Sequence, residues 1–76
     1  MEMSITAKEI AESAIRLDND ANGNPRYYIP VYLFWSAIGK DVRPKGAVKY
    51  RGKRYGAGWV FQSYALEYDI CHAISS

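Results

Sequence analysis

The segment RYYIPVYLF, residues 26–34, carries the strongest β-strand signal in the sequence. It is rich in aromatic and β-branched residues, which favour strands. Both of its alternating faces are apolar, so the alternation does not identify the buried face. Pro30 has no N–H to donate to a neighbouring strand, which indicates an edge position or a bulge. Residues 35–38 fit either the end of this strand or a helical turn that Gly39 ends.

A helix is predicted on the N-terminal side of this strand, at residues 6–17. Thr6 and Glu9 have the spacing of a capping box, in which each side chain accepts a hydrogen bond from the other's backbone amide. Apolar residues then recur at helical spacing, namely Ala7, Ile10, Ala14 and Leu17. Glu12 and Arg16 are spaced for a favourable i,i+4 pair on the same helix.

An Asx-rich segment, DNDANGNP at residues 18–25, separates this helix from the strand. Its first half matches an EF-hand calcium loop, with Asp18, Asp20 and Asn22 at alternate positions before Gly23. The twelfth position of such a loop needs a glutamate, and here it is Ile29. We therefore interpret the segment as a turn that ends the helix. No metal or other cofactor is predicted.

The C-terminal half is predicted to contain a β-hairpin and a closing helix. A loop at residues 39–46 precedes a short strand at 47–50 and a longer strand at 58–64. The glycines between the two strands make an antiparallel hairpin the natural connection. Ser63 can cap a helix over about residues 64–74, whose apolar residues recur at helical spacing.

With 76 residues, the chain has room for one domain, residues 1–76. The predicted class is α+β: an antiparallel sheet of about three strands with a β-hairpin, packed by N-terminal and C-terminal α-helices. A sheet covered on one face leaves the other open. Tyr28, Tyr32 and Trp59 are candidates for that open face, and such a patch would favour a partner or a homodimer unless it is covered.

Several classes of function are disfavoured by the composition. A single cysteine and a single histidine exclude a disulfide framework and a Cys/His zinc site. Cys71 and His72 would point about 100° apart on a helix, so they do not form a nucleophile–base pair. We predict no enzyme activity. The sequence shows no secretion signal and no apolar run near the about 20 residues of a membrane span, so we predict a cytoplasmic protein without membrane contact.

The charge distribution is the strongest functional signal. The net charge is only +2, but seven of the ten basic residues fall within residues 40–54, where Asp41 is the one acidic residue. That stretch carries a local charge of +6, and the remainder carries −4. A basic hairpin with flanking aromatic rings is suited to contacts with phosphates and bases. The alternative is a solvated hairpin tip that keeps the protein soluble and blocks edge pairing.

The predicted partner-binding residues are the cations and rings of this hairpin. They are Lys45, Lys49, Arg51, Lys53, Arg54, Tyr55 and Trp59. The neighbouring segment Arg54–Phe61 also has a weak similarity to the aromatic RNP1 strand of RNA-recognition motifs. Its spacing and the order of elements do not fit that fold.

Two stretches resemble small, largely uncharacterised proteins of bacteriophages and other mobile elements. They are DANGNPRY at residues 20–27 and KYRGKRYGAGWVFQSY at residues 49–64. The resemblance implies a genomic context and no particular activity. Phage proteins of this size commonly bind a host machine, and anti-CRISPR proteins are one such group.

Three hypotheses for the function follow. The first is a non-enzymatic phage protein, similar in context to anti-CRISPR proteins, that docks on the protein surface of a host defence nucleoprotein complex and inhibits it. The second is a nucleic-acid-binding module that uses the basic hairpin at residues 45–55. The third is a small structural or dimerisation protein. The resemblance favours the first hypothesis and the local charge favours the second.

Overall fold

The computed structural model describes residues 6–39, 43–62 and 65–75. Within them the elements are, in order, α1 Ala7–Ser13, β1 Ile15–Arg16, β2 Arg26–Pro30, α2 Val31–Ile38, β3 Ala47–Lys49, β4 Gly58–Gln62 and α3 Leu66–Ser75. The strands form one antiparallel sheet in the order β1-β2-β4-β3. The predicted α+β class is confirmed, with four described strands where about three were expected.

The core lies between one face of the sheet and the helices. The central strands contribute Ile29 and Phe61, and the Phe61 ring stacks on Phe34 of α2 with centroids 6.3 Å apart. The other buried core residues are Ile10, Leu33, Ile70 and Ala73. Residues from all three helices therefore cover the same sheet face, which leaves the opposite face to the strands and their loops.

The predicted capping box at the start of α1 is confirmed. The amide of Glu9 donates to Thr6 Oγ1 at 3.2 Å, and the amide of Thr6 donates to Glu9 Oε1 at 2.9 Å. Two backbone donors that the helix leaves unsatisfied thus find side-chain partners.

Thr6→Ala is expected to lower the free energy of unfolding by about 1 kcal/mol, because the Glu9 amide loses its acceptor. Urea denaturation of the variant and the parent measures the difference. Ser13→Ala, at the exposed end of the same helix, is the control and should unfold at the parental midpoint. Identical midpoints for all three proteins would show that the cap does not stabilise α1.

The predicted C-terminal boundary of this helix was wrong. The helix ends at Ser13, and Ala14 is extended, with φ −66° and ψ 146°. Ile15 and Arg16 pair with β2, and the Leu17 amide donates to the Arg26 carbonyl at 2.8 Å. Strand pairing thus outweighs the helical spacing of the apolar residues. Arg16 lies outside the helix, so the predicted i,i+4 pair with Glu12 cannot form.

The strand predicted at residues 26–34 begins where expected but ends at Pro30. Val31 starts α2, which ends at Ile38 and is followed by Gly39 in the left-handed conformation, φ 71°. Pro30 was predicted to mark an edge position or a bulge, and both are wrong, because β2 is an inner strand and its register with β4 is continuous to Pro30. Pro30 is tolerated in β2 for two reasons. The pairing of β2 with β1 ends at Tyr28, so Pro30 lies beyond that pairing. Pro30 also directly precedes the first turn of α2, a position that accepts proline.

The β-hairpin and the closing helix are confirmed. β3 pairs with β4 so that Val48 lies opposite Val60, and the Tyr50 amide extends the ladder by donating to the Gly58 carbonyl at 2.9 Å. In α3, Ile70 and Ala73 are buried as the helical spacing predicted. The proposed Ser63 cap and the end of the predicted strand at Tyr64 lie outside the described residues, as does the part of the basic loop at residues 40–42. No helix in the described ranges is long and apolar enough to cross a bilayer.

Candidate functional site

The sheet face opposite the helices carries a row of aligned side chains. The strand registers place Ile15, Tyr28, Val60 and Val48 across from one another, one from each of the four strands. Tyr28 is 2% exposed and Val60 is 4% exposed, although no helix covers them. The hairpin loop at residues 50–58 covers Tyr28.

Three tyrosines fix this loop against the sheet. The Tyr55 ring stacks on Tyr28, with centroids 4.9 Å apart and an interplanar angle of 20°. The Tyr50 ring meets Tyr28 edge-on at 4.7 Å. The Tyr28 hydroxyl donates to the Gly56 carbonyl at 2.8 Å. We call these three residues the tyrosine cluster.

The ionisation of Tyr28 follows from its position in the tyrosine cluster. Burial raises the pKa of the Tyr28 hydroxyl above its ordinary value, and the neighbouring tyrosines Tyr50, Tyr32 and Tyr55 add to the effect. The hydroxyl therefore keeps its proton and remains a donor to the loop carbonyl at neutral pH.

The aromatic patch expected on the open sheet face is not formed as predicted. The hairpin loop buries Tyr28, and Trp59 is half-buried against the core on the helix side. Tyr32 is 65% exposed, but it lies on α2 because the strand ends at Pro30. The alternation assumed for a nine-residue strand does not apply beyond residue 30.

A basic groove of about 620 Å³ lies beside the tyrosine cluster. Five cations line it, together with Asp18 as the one carboxylate among its described lining residues. The cations are Arg16, Arg26, Lys49, Arg51 and Arg54. We call this depression the basic groove. Its cations come from β1, β2, β3 and the hairpin loop, and so from both edges of the sheet.

Two of these arginines are held by neutral groups. Arg26 Nε donates to the Asp18 backbone carbonyl at 2.9 Å. Arg16 Nη2 donates to Asn19 Oδ1 at 2.5 Å, and its guanidinium lies 5.6 Å from the centroid of the Tyr27 ring. Neutral acceptors and a ring face orient a guanidinium without cancelling its charge. The charge remains available to an external anion.

The basic groove brings together some of the predicted site residues and separates others. Lys49, Arg51, Arg54 and Tyr55 line it. Lys53 is exposed in the same loop. Lys45 instead lines a separate depression of about 510 Å³ beside α3, with Tyr68 and His72. Lys45, and Trp59 on the helix side of the sheet, therefore do not line the groove.

Arg16 and Arg26 are groove residues that the sequence analysis missed. The sequence pattern predicted Arg16 on the side of a helix and Arg26 at the start of a strand. Their joint position depends on the β1–β2 pairing, which the helical spacing of residues 14–17 obscured. Two of the three basic residues outside the basic stretch thus converge on it.

The Asx-rich segment forms the turn that the sequence predicted. Asp20 Oδ1 accepts hydrogen bonds from the amides of Asn22 at 2.9 Å and Asn24 at 2.8 Å, and its Oδ2 accepts one from Gln62 Nε2 at 2.9 Å. The Asn24 amide, the largest cause, lowers the pKa of the Asp20 carboxyl. The carboxylate is thereby used to close the turn. Across the described ranges, no three His, Cys, Asp or Glu side chains are grouped as a metal site.

The family model of the Staphylococcus phage terminal repeat-encoded protein TreK matches residues 3–74 of the chain. The chain belongs to this phage protein family. The matched span includes all four described strands and every described residue that lines the basic groove. The phage origin that the sequence resemblance implied is therefore confirmed. No curated protein and no solved structure matches the chain.

Proposed function

We propose that this phage protein is a non-catalytic nucleic-acid-binding protein that contacts phosphates through the basic groove. The observation that carries the proposal is the convergence of Arg16 and Arg26 with three hairpin cations on one depression. Like charges gathered on one surface repel each other, and a polyanion relieves that repulsion. Guanidinium and ammonium groups hold phosphates through charge-assisted hydrogen bonds.

The arginines of the groove favour phosphate as the ligand group. A guanidinium presents several N–H donors in a planar fork that matches a phosphate in a bidentate arrangement. Arg26 uses Nε for the Asp18 carbonyl, and Arg16 uses Nη2 for Asn19, so each retains other donors. Four of the five groove cations are arginines.

The tyrosine cluster prepares the hairpin loop for binding. A flexible loop loses conformational freedom when it binds a ligand, and that loss weakens the affinity. Here the contacts of Tyr50 and Tyr55 with the buried Tyr28 order the segment that carries Arg51 and Arg54 before any ligand arrives. The cations are thus presented by a supported loop, whereas a purely solubilising tip would need no such support.

A second candidate function is docking on a host defence nucleoprotein complex, with inhibition as the result. The observation that favours it is a set of exposed aromatic side chains outside the groove. Tyr32 and Trp35 on α2 are 65% and 49% exposed, and Tyr68 on α3 is 64% exposed. Aromatic residues are enriched in protein interfaces. Such a complex also offers nucleic acid, so both surfaces could act on the same partner.

The proposed function is tested by reversing charges inside and outside the groove. The groove variant carries Lys49→Glu, Arg51→Glu and Arg54→Glu. The matched control carries Lys8→Glu, Arg43→Glu and Lys45→Glu, which changes the net charge equally at exposed positions that do not line the groove. Binding of a fluorescent oligonucleotide is measured by anisotropy at several salt concentrations. Circular dichroism confirms that each variant is folded, because exposed substitutions usually change stability by less than about 0.5 kcal/mol.

We expect the groove variant to lose most of its affinity and the control to lose much less. Each lost phosphate contact should reduce the slope of log K against log salt by about 0.7–0.9, hence by about 2–3 for three contacts. Equal losses in the two variants would mean that net charge alone attracts the oligonucleotide. Absence of binding by the folded parent at low salt would reject the nucleic-acid function. Nuclease-resistant binding to a purified defence complex would then support docking on protein.

A further inference from the structure

The floor of the basic groove is apolar, in contrast to its cationic sides. Val48 and Val60 face each other across the β3–β4 ladder and both line the groove, where Val60 is nearly buried and Val48 supplies most of the open apolar surface. Val48 is 56% exposed, which is high for a valine in the middle of a strand. Tyr50 and Tyr55 continue the same floor towards the hairpin loop. Water contact with this floor is unfavourable and invites an apolar ligand surface.

The strand order places cations on both sides of this floor. Arg16 and Arg26 come from β1 and β2, whereas Lys49 follows from β3 at the opposite edge of the sheet. Arg51 and Arg54 extend the second side through the loop after β3. The groove therefore offers a strip of apolar and aromatic surface with positive charge along either side.

We infer that the ligand is a single-stranded nucleic acid; this inference rests on the proposed nucleic-acid function. A single strand can turn its bases onto the apolar floor while its phosphates contact the flanking cations. A duplex holds its bases in internal pairs and presents phosphates on its outside. It could reach the cations, but it would leave Val48 and the tyrosine rings without an apolar partner.

Tyr55 is the ring best placed to stack on a base. One face of the ring lies on Tyr28, with centroids 4.9 Å apart. Tyr28 is itself fixed by burial and by the hydrogen bond from its hydroxyl to the Gly56 carbonyl. Tyr55 also lines the groove, and the Tyr50 ring lies 5.8 Å from it at an interplanar angle of 49°. A base would stack on the part of the Tyr55 ring that Tyr28 and Tyr50 leave open to the groove. A ring already supported from behind loses little freedom when a base stacks on it.

The test compares a fluorescent single-stranded oligonucleotide with a duplex of the same sequence. Anisotropy titrations use the full chain and two tyrosine variants. Tyr55→Leu keeps an apolar side chain in the groove and removes the aromatic ring. Tyr68→Leu makes the same change at an exposed tyrosine on α3, outside the groove. Val48→Ser, which makes the exposed part of the floor polar, replaces Tyr55→Leu if that variant does not fold.

We expect the parent to bind the single strand at least about tenfold more tightly than the duplex, because base stacking adds to the phosphate contacts. Tyr55→Leu should weaken single-strand binding by about fivefold or more, and by a larger factor than duplex binding, because only the single strand loses a stacking partner. Val48→Ser should weaken the same binding, and Tyr68→Leu should not.

Two outcomes would overturn the inference. One is equal parental affinity for single strand and duplex. The other is a folded Tyr55→Leu or Val48→Ser variant with parental single-strand affinity. Either outcome leaves the proposed nucleic-acid function standing, because binding is still observed. Failure of the parent to bind both probes would instead reject that function, and with it the inference.

Discussion

Phe61→Ala is expected to lower the free energy of unfolding by about 3–5 kcal/mol, as large-to-small substitutions of buried aromatic residues do. Phe61 is 2% exposed and lies on an inner strand of the sheet. Its ring stacks on Phe34, which is 1% exposed and comes from α2. Truncation would leave a cavity where the sheet meets α2, and neither element can move into it without losing other contacts.

This loss is large for so short a chain. At roughly 0.05–0.15 kcal/mol per residue, a domain of this length has only about 4–11 kcal/mol of stability. Phe61→Ala should therefore unfold at a much lower urea concentration than the parent, which far-UV circular dichroism measures. Leu66→Ala is the comparison, because Leu66 is only half-buried and should cost less. Equal midpoints for Phe61→Ala and the parent would show that the described core is incorrect.

Local signals were sufficient for three parts of the fold. The Thr6–Glu9 capping box marked the start of α1, because both hydrogen bonds are made between residues three positions apart. The glycines between residues 50 and 58 indicated the hairpin, and helical spacing indicated α3. Each of these features is decided by neighbours in the sequence, so a reading of the sequence alone can find it.

The errors arose where distant residues decide the structure. Residues 14–17 have helical spacing, but Ile15 and Arg16 are extended because β2 offers them hydrogen-bond partners. The aromatic run after Arg26 is apolar on both faces, so its pattern does not separate a strand of nine residues from a strand followed by a helix. Pro30 marked the boundary. It is the residue before a helix, whereas the sequence pattern indicated an edge position or a bulge.

The candidate site shows the same division between local and distant information. The cations at positions 49, 51 and 54 are close in sequence and remain together in the groove. The β1–β2 pairing brings Arg16 and Arg26 to the same groove. The Leu17 amide extends this pairing by donating to the Arg26 carbonyl. The charge pattern therefore contains the half of the groove that is continuous in sequence, and the sheet supplies the other half.

Gly58 connects the sheet to the tyrosine cluster, and it has no room for a side chain. It lies opposite Pro30 at the start of β4, where the rings and backbone of β2 approach closely. A Cβ atom at this position would lie 2.6 Å from the Ile29 carbonyl oxygen and would overlap the Tyr28 ring. The oxygen belongs to the backbone of an inner strand, and the ring is held by Tyr50 and Tyr55, so neither can move freely.

Gly58→Ala is therefore expected to lower the free energy of unfolding by about 3 kcal/mol, the upper part of the range for overpacking a tight site. The matched control is Gly56→Ala in the same loop, where an added Cβ meets no atom within 4 Å. Its stability should change by less than about 0.5 kcal/mol. Urea denaturation measures the stability of both variants, and oligonucleotide binding by the folded fraction reports on the hairpin loop.

Because the displaced Tyr28 ring supports Tyr55, we expect Gly58→Ala to weaken oligonucleotide binding as well, and Gly56→Ala to preserve it. If the two variants unfold at the same midpoint, the close packing of Tyr28 beneath the hairpin loop does not exist in solution, and the groove cations lack the support on which their presentation depends.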